Sequence, residues 1–166
     1  MISKSKLVIA AILIVIASVA MDQVVSAAVT DSLLAAGTTR YAFVTAANPV
    51  STSLITYSNL PGMSTDITIP PGKVGDVMIL FCGGTVAIHY TMARARIGSL
   101  GTSPSEVTLR EPGDIGGGEN QCANFVRKGV PAGTHTVRIQ WRGASAWPGE
   151  TQWMYERNMI VVVNLH

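Results

Sequence analysis

The chain has 166 residues, enough for one domain, and carries 12 Lys and Arg against 10 Asp and Glu. Its basic residues are scattered, with Arg94 and Arg96 the densest pair and Arg138 and Arg142 the next. Nucleic-acid binding needs a clustered cationic footprint to neutralise phosphates, so no nucleic-acid partner is expected.

The chain opens with Lys4 and Lys6, then an unbroken apolar run from Leu7 to Ala17 that continues through Ser18 to Met21. A basic start, a short apolar stretch and small residues downstream form the pattern of a secretory signal peptide. Val25-Ser26-Ala27 offers a small-x-small cleavage site, with Ser18-Val19-Ala20 as the second option. The apolar run spans about 15 residues, short of the roughly 20 that cross a bilayer as a helix. Cleavage is therefore favoured over an uncleaved anchor, which would be the protein's one contact with a membrane. On this reading residues 1–27 are a signal peptide, 28–50 a leader or linker, and 51–166 a folded domain. The domain is secreted or displayed at the cell surface, and periplasmic if the envelope is Gram-negative.

In an exported chain Cys82 and Cys122, the only two cysteines, read as a disulfide, because the compartment is oxidising. Two buried thiols are the alternative. His89, His135 and His166 show no ligand spacing among themselves.

In chain order, residues 28–49 are rich in Ala, Thr and Ser, with one short apolar piece at Tyr41–Val44 suited to a peripheral strand. Leu54–Tyr57 is β-like and is followed by a Leu60-Pro61-Gly62 turn. Thr65–Ile69 alternates and ends at Pro70-Pro71-Gly72. Val77–Cys82 is apolar at every position, which predicts a strand buried on both faces, with Gly83-Gly84 turning the chain after it. Thr85–Ile97 reads as one long strand with Val86, Ile88, Tyr90 and Met92 toward the core and His89 outward. Glu106–Arg110 is short, and Glu111–Gln121 is a glycine-rich loop. Cys122–Arg127 resumes β character. Thr134–Arg142 places Val137, Ile139 and Trp141 on one face and Arg138, Gln140 and Arg142 on the other. After a loop at Gly143–Thr151, Met159–Leu165 closes the chain as a strand expected to dock centrally. About eight short strands with Gly/Pro turns and no helical periodicity predict an all-β, antiparallel sandwich of jelly-roll type.

Two stretches carry a resemblance: Ile67–Lys73 leading into Val77–Phe81, and Val130–Arg142 with the closing Met159–Leu165 strand. Together they resemble exported bacterial β-sandwich domains of jelly-roll type, loosely similar to the C1q/tumour-necrosis-factor-like group. The likeness covers roughly Thr65 to Leu165. It implies a binding or assembly module, often trimeric, rather than an enzyme. Met159–Leu165 departs from that group in carrying no aromatic residue.

The candidate ligand site is the region of Trp147, Trp153 and Tyr155 with Arg142, Glu150 and Gln152, where flat aromatic faces beside polar edges suit a sugar ring or an apolar ligand. The alternative is that Trp147-Pro148 plugs the end of the sandwich and Trp153 packs on it. Glu111, Asp114 and Glu119 gather carboxylates on a flexible loop, as calcium requires, but without any recognised calcium-loop spacing, so the loop is a weak metal candidate. No Gly-x-Ser-x-Gly, His-Glu-x-x-His or Ser-x-x-Lys motif supports catalysis, and no cofactor is expected.

Three functions follow in order. The first is a non-catalytic extracellular binding module for carbohydrate or another surface ligand. The second is a structural subunit of an extracellular assembly, a homo-oligomer or filament, in which Ala28–Val44 or a sheet edge makes the contact. The third is a secreted hydrolase.

Overall fold

The computed structural model describes residues 38–86, 90–109, 119–143 and 151–166. Among these residues every regular element is a strand: β1 (Thr39–Ala46), β2 (Val50–Thr52), β3 (Ser58–Ile69), β4 (Gly75–Val86), β5 (Thr91–Ile97), β6 (Leu100–Gly101), β7 (Val107–Thr108), β8 (Glu119–Val130), β9 (Gly133–Gly143) and β10 (Gln152–Leu165). One antiparallel sheet has the order β1-β10-β4-β8, with β2 also pairing β10; the other has the order β3-β9-β5-β6, with β7 pairing β5. Early strands lie beside late ones in both sheets, the nested order of a jelly roll. β10 is central in its sheet, between β1 and β4.

Period-two alternation places the core between the sheets. One sheet turns in Val44, Val77, Ile79, Phe81, Phe125, Met159 and Val161; the other turns in Met63, Ile69, Ala95, Ile97, Ile139 and Trp141. Trp141 and Phe81 are the largest of these fully buried side chains. Cys82 and Cys122 sit opposite each other on β4 and β8 and form the disulfide. The peripheral strand expected at Tyr41–Val44 is β1, paired along its whole length with β10. That part of Ala28–Val44 is thus used within its own chain instead of being donated to a neighbour.

Several local expectations are corrected. Leu54–Tyr57 is not a strand, because Thr52 Oγ1 accepts a hydrogen bond from Leu54 N at 3.2 Å and bends the chain there. Leu60-Pro61-Gly62 lies inside β3 at an irregularity between Asn59 and Ser64, where Gly62 adopts φ +74°. Gly83-Gly84 continues β4 without turning it; a Cβ on Gly83 would come within 3.0 Å of Met154 Sδ, so the residue is small because β10 packs there. Val77–Cys82 is buried on one face only, since Met78 is exposed and Leu80 half-buried. Thr85–Ile97 is two strands in different sheets, and in the second Thr91, Ala93, Ala95 and Ile97 face the core while Met92 faces out.

Arg157 fastens the β10 bulge that lies between Met154 and Arg157. The side chain is 4% exposed and has no carboxylate partner among the described residues. Its Nε donates to Pro61 O at 3.2 Å, and its Nη1 reaches Asn48 O at 2.7 Å, Tyr155 O at 2.8 Å and Met154 O at 3.3 Å. Burial draws its pKa below the ordinary arginine value, yet a guanidinium stays charged in a protein.

Candidate functional site

The structure divides the aromatic ligand set predicted from the sequence. Trp153 and Tyr155 are exposed on the outer side of β10, at 43% and 42%. Gln152 is buried and accepts a hydrogen bond from Thr91 Oγ1 at 3.3 Å, so it faces the interior. Arg142 belongs to β9 in the opposite sheet, 3.6 Å from a Glu106 carboxylate oxygen. Trp147 and Glu150, and Glu111 and Asp114 of the weak metal loop, lie outside the described residues, and Glu119 is the first residue of β8. Among the described residues no three His, Cys, Asp or Glu side chains gather as a metal site. His135 sits 2.9 Å from Pro131 O, His166 lies 3.5 Å from Asp76, and His89 is outside the described residues.

The outer face that carries Trp153 and Tyr155 is apolar over much of its length. Reading across β1, β10, β4 and β8, one row is Tyr41, Val162, Met78, Val126 and the next is Phe43, Ile160, Leu80, Asn124. A third row is Thr45, Asn158 and the bonded Cys82 and Cys122. None of the twelve residues in these rows is charged. Phe43, Met78 and Val126 are each near 40% exposed, and Tyr41, Leu80, Ile160 and Val162 are half-buried. Charge returns only toward the ends, at Asp76, Lys128 and His166 on one side and Glu156 on the other. A contiguous apolar sheet face rimmed by polar residues is the mark of an interaction surface.

The opposite sheet turns out a basic face. β5 presents Arg94 and Arg96 beside Arg138 and Arg142 of β9, and Arg96 is directly opposite Arg138 in the register. Arg94 stacks over the Tyr57 ring at 3.9 Å, and Arg142 lies over the same ring at 5.1 Å. Tyr57 donates to Glu106 Oε2 at 2.5 Å; burial first, and then that hydrogen bond, hold its pKa above the ordinary tyrosine value. Arg94 Nε donates to Gln140 Oε1 at 2.9 Å, and Gln140 passes the chain on to Asn59 at 2.9 Å. Glu106 is thus committed to Tyr57 and Arg142, and Asp66, the other carboxylate here, accepts from Thr136 Oγ1 at 2.6 Å.

Neither face was assembled by the sequence reading, though each had a signal. Met92 shares its parity with Arg94 and Arg96, so an inward Met92 would drive two arginines into the core; the reverse parity brings those arginines out beside Arg138. Apolar residues on both parities of β4 supply a core face and an apolar second face turned outward.

No protein-family model matches this chain, and no curated protein matches it. Among solved structures it is similar to the infectious bursal disease virus VP2 subviral particle, at 16% identity and TM-score 0.45, over 76% of this chain and 33% of that one. The Gx strain of infectious bursal disease virus matches at 15% identity and TM-score 0.43, over 76% of this chain and 32% of that one. This chain spans about a third of the length of those chains.

Proposed function

We propose that the protein is an exported, non-catalytic structural subunit that associates with further copies of itself through the outer face of the β1-β10-β4-β8 sheet. The observation that carries this reading is the three charge-free rows centred on Ile160 and Leu80. A flat face without charge is complementary to itself, because two copies bury apolar surface and strand no ion. Its extent suits the task. Four strands about 4.8 Å apart over the five positions Asn158–Val162, at about 3.4 Å each, give a charge-free centre of roughly 330 Å². The rim out to Trp153 and Asn164, which includes Glu156 and Asp76, brings the footprint to roughly 700 Å² per copy. Standard stable interfaces bury about 800 Å² per partner. The disulfide and the N-terminal signal pattern support an oxidising, extracytoplasmic setting.

Met78 provides the test. Oxidative footprinting of the full chain at rising protein concentration is expected to protect Met78, on the proposed contact, and to leave Met92, on the opposite sheet, reacting at an unchanged rate. Equal reactivity of Met78 at every concentration would overturn the reading. A second reading rests on the exposure of Trp153 and Tyr155, whose rings offer a stacking surface to a sugar. It predicts glycan binding that Trp153→Ala abolishes, and monomers that bind as well as assemblies.

A further inference from the structure

Beside the basic face lies an open cleft of about 670 Å³ between the two sheets, lined by Gly101, Thr102, Ser103, Val126, Arg127 and Lys128. Its volume is within the range of small-ligand sites, roughly 300–1,000 Å³. Ser103 and Val126 exchange backbone hydrogen bonds at 2.8 Å in both directions, so the β8 wall and the segment after β6 are tied together.

One residue joins the cleft to the arginines. Gly101 is opposite Arg96 in the β5–β6 register, and Arg96 is opposite Arg138 in the β5–β9 register. Arg138, Arg96 and Gly101 therefore follow one another across the sheet at strand spacing, about 4.8 Å each. Arg127 and Lys128 continue the series on the far wall. A Cβ at Gly101 would meet Arg96 Nη1 at 3.5 Å, ordinary van der Waals contact, so the Arg96 guanidinium lies beside Gly101.

Charge on this track is poorly neutralised. Arg96 Nη2 donates to Ser99 O, and Arg138 Nη2 donates to Gly98 O at 3.3 Å; both acceptors are neutral carbonyls. Among the described residues, Arg127 Nε and Arg138 Nε are buried with no hydrogen-bond partner. Lys128 lies close enough to Asp76 to help depress that carboxyl's pKa, but Asp76 is also engaged by Gly129 N at 3.0 Å and by His166. Two like charges opposite each other in a sheet are destabilising, and unpartnered buried donors add to the cost. A bound anion offsets both.

We infer that the track Arg138–Arg96–cleft–Arg127–Lys128 binds an acidic oligosaccharide, whose repeating sulfate or carboxylate groups meet the guanidinium forks. Arginine suits both groups, because its fork matches their oxygens in pairs. The Ser103 hydroxyl at the cleft adds a donor and an acceptor for sugar hydroxyls, and Thr102 Oγ1, whose proton goes to the Ala95 or Pro104 carbonyl, adds an acceptor. The same features disfavour single-stranded nucleic acid, which stacks its bases on open aromatic rings. Tyr57, an aromatic on this sheet's outer face, has Arg94 over its ring. The cleft shares Val126 of β8 with the apolar face, whereas Arg96 and Arg138 belong to the other sheet.

The test is calorimetric binding of the purified full chain to four probes of similar length: a sulfated heparin hexasaccharide, a hexagalacturonate, neutral maltohexaose and a deoxythymidine decamer. One or both acidic sugars are expected to bind, with affinity falling as salt rises; which one binds identifies sulfate or carboxylate as the group recognised. Arg96→Gln and Arg127→Gln are each expected to weaken binding about tenfold, while Arg40→Gln, on β1 at the opposite edge of the sheet from β8, leaves it unchanged. Should Arg127→Gln fail to fold, Lys128→Gln takes its place. Binding of maltohexaose as strong as that of the acids would overturn the inference. So would tighter binding of the decamer, or acid binding that survives both substitutions on correctly folded protein.

Discussion

Replacing Arg157 with methionine should cost this fold more than any exposed substitution. The side chain fills a buried site, and its Nε and Nη1 reach the carbonyls of Pro61, Asn48, Tyr155 and Met154. Nη1 has two hydrogens, so at most three of these four bonds are made at once, the short ones to Asn48 and Tyr155 among them. A hydrogen bond from a charged group contributes about 1.5–3 kcal/mol net, which sets a gross loss of about 5–9 kcal/mol. Two effects reduce it. The guanidinium's own desolvation is relieved, as its lowered pKa indicates, and Pro61 and Asn48 are exposed enough for water to reach their carbonyls. A net loss of about 3–4 kcal/mol remains, comparable with removing one partner of a buried polar network. Urea unfolding followed by tryptophan fluorescence measures it, with the buried Trp141 as reporter. Arg157→Lys, which keeps the charge but not the fork, should fall between the two proteins. A loss below about 1 kcal/mol for Arg157→Met would refute the claim that this residue holds the β10 bulge to β3 and to the turn before β2.

Other consequences follow from the same structure. Cys82→Ser with Cys122→Ser opens a loop closed over a sequence separation of 40 and should lower stability by about 4 kcal/mol, read as a drop in the urea midpoint. Gly62→Ala places a side chain at φ +74° with its Cβ 3.0 Å from that of Ala46, and should cost about 1–2 kcal/mol in the same assay. Asp76 has its pKa held below its ordinary 3.8, first by the hydrogen bond from Gly129 and then by His166 and Lys128. Its contribution is therefore complete above that ordinary value and fades as pH falls through the lower folded value. Asp76→Asn should flatten the acid limb of the stability–pH curve below about pH 4, and an unchanged acid limb would show that the contact is inert.

How much of this was legible in the sequence depended on whether a pattern was local. The alternation of Thr134–Arg142 gave the correct faces for β9 and placed Trp141 in the core, because one strand's periodicity needs no partner to be read. The disulfide was legible from a count of two. The glycines misled: Gly83-Gly84 and Gly62 resemble turns, yet one is small to admit Met154 and the other supports a bulge. The predicted ligand set is divided for a related reason. Gln152 and Trp153 are adjacent in sequence and therefore point to opposite sides of β10, while Arg142 is close in sequence but lies in the other sheet. Both candidate surfaces are products of register. Arg96 and Arg138 are 42 positions apart, and Tyr41 and Val162 are 121 apart, until the sheets bring them together.

The central claim, assembly through the apolar sheet face, is tested most directly by light scattering of the full chain and of Val162→Lys, side by side across a range of concentrations and at low and high salt. Both proteins keep the same N-terminal segment, so any difference in mass belongs to the face. The account predicts a discrete oligomer for the wild type that persists in 1 M salt, where surface charge is screened to about 3 Å, and a folded monomer for Val162→Lys. A wild type that stays monomeric throughout, or a lysine variant with the wild-type mass, would contradict it.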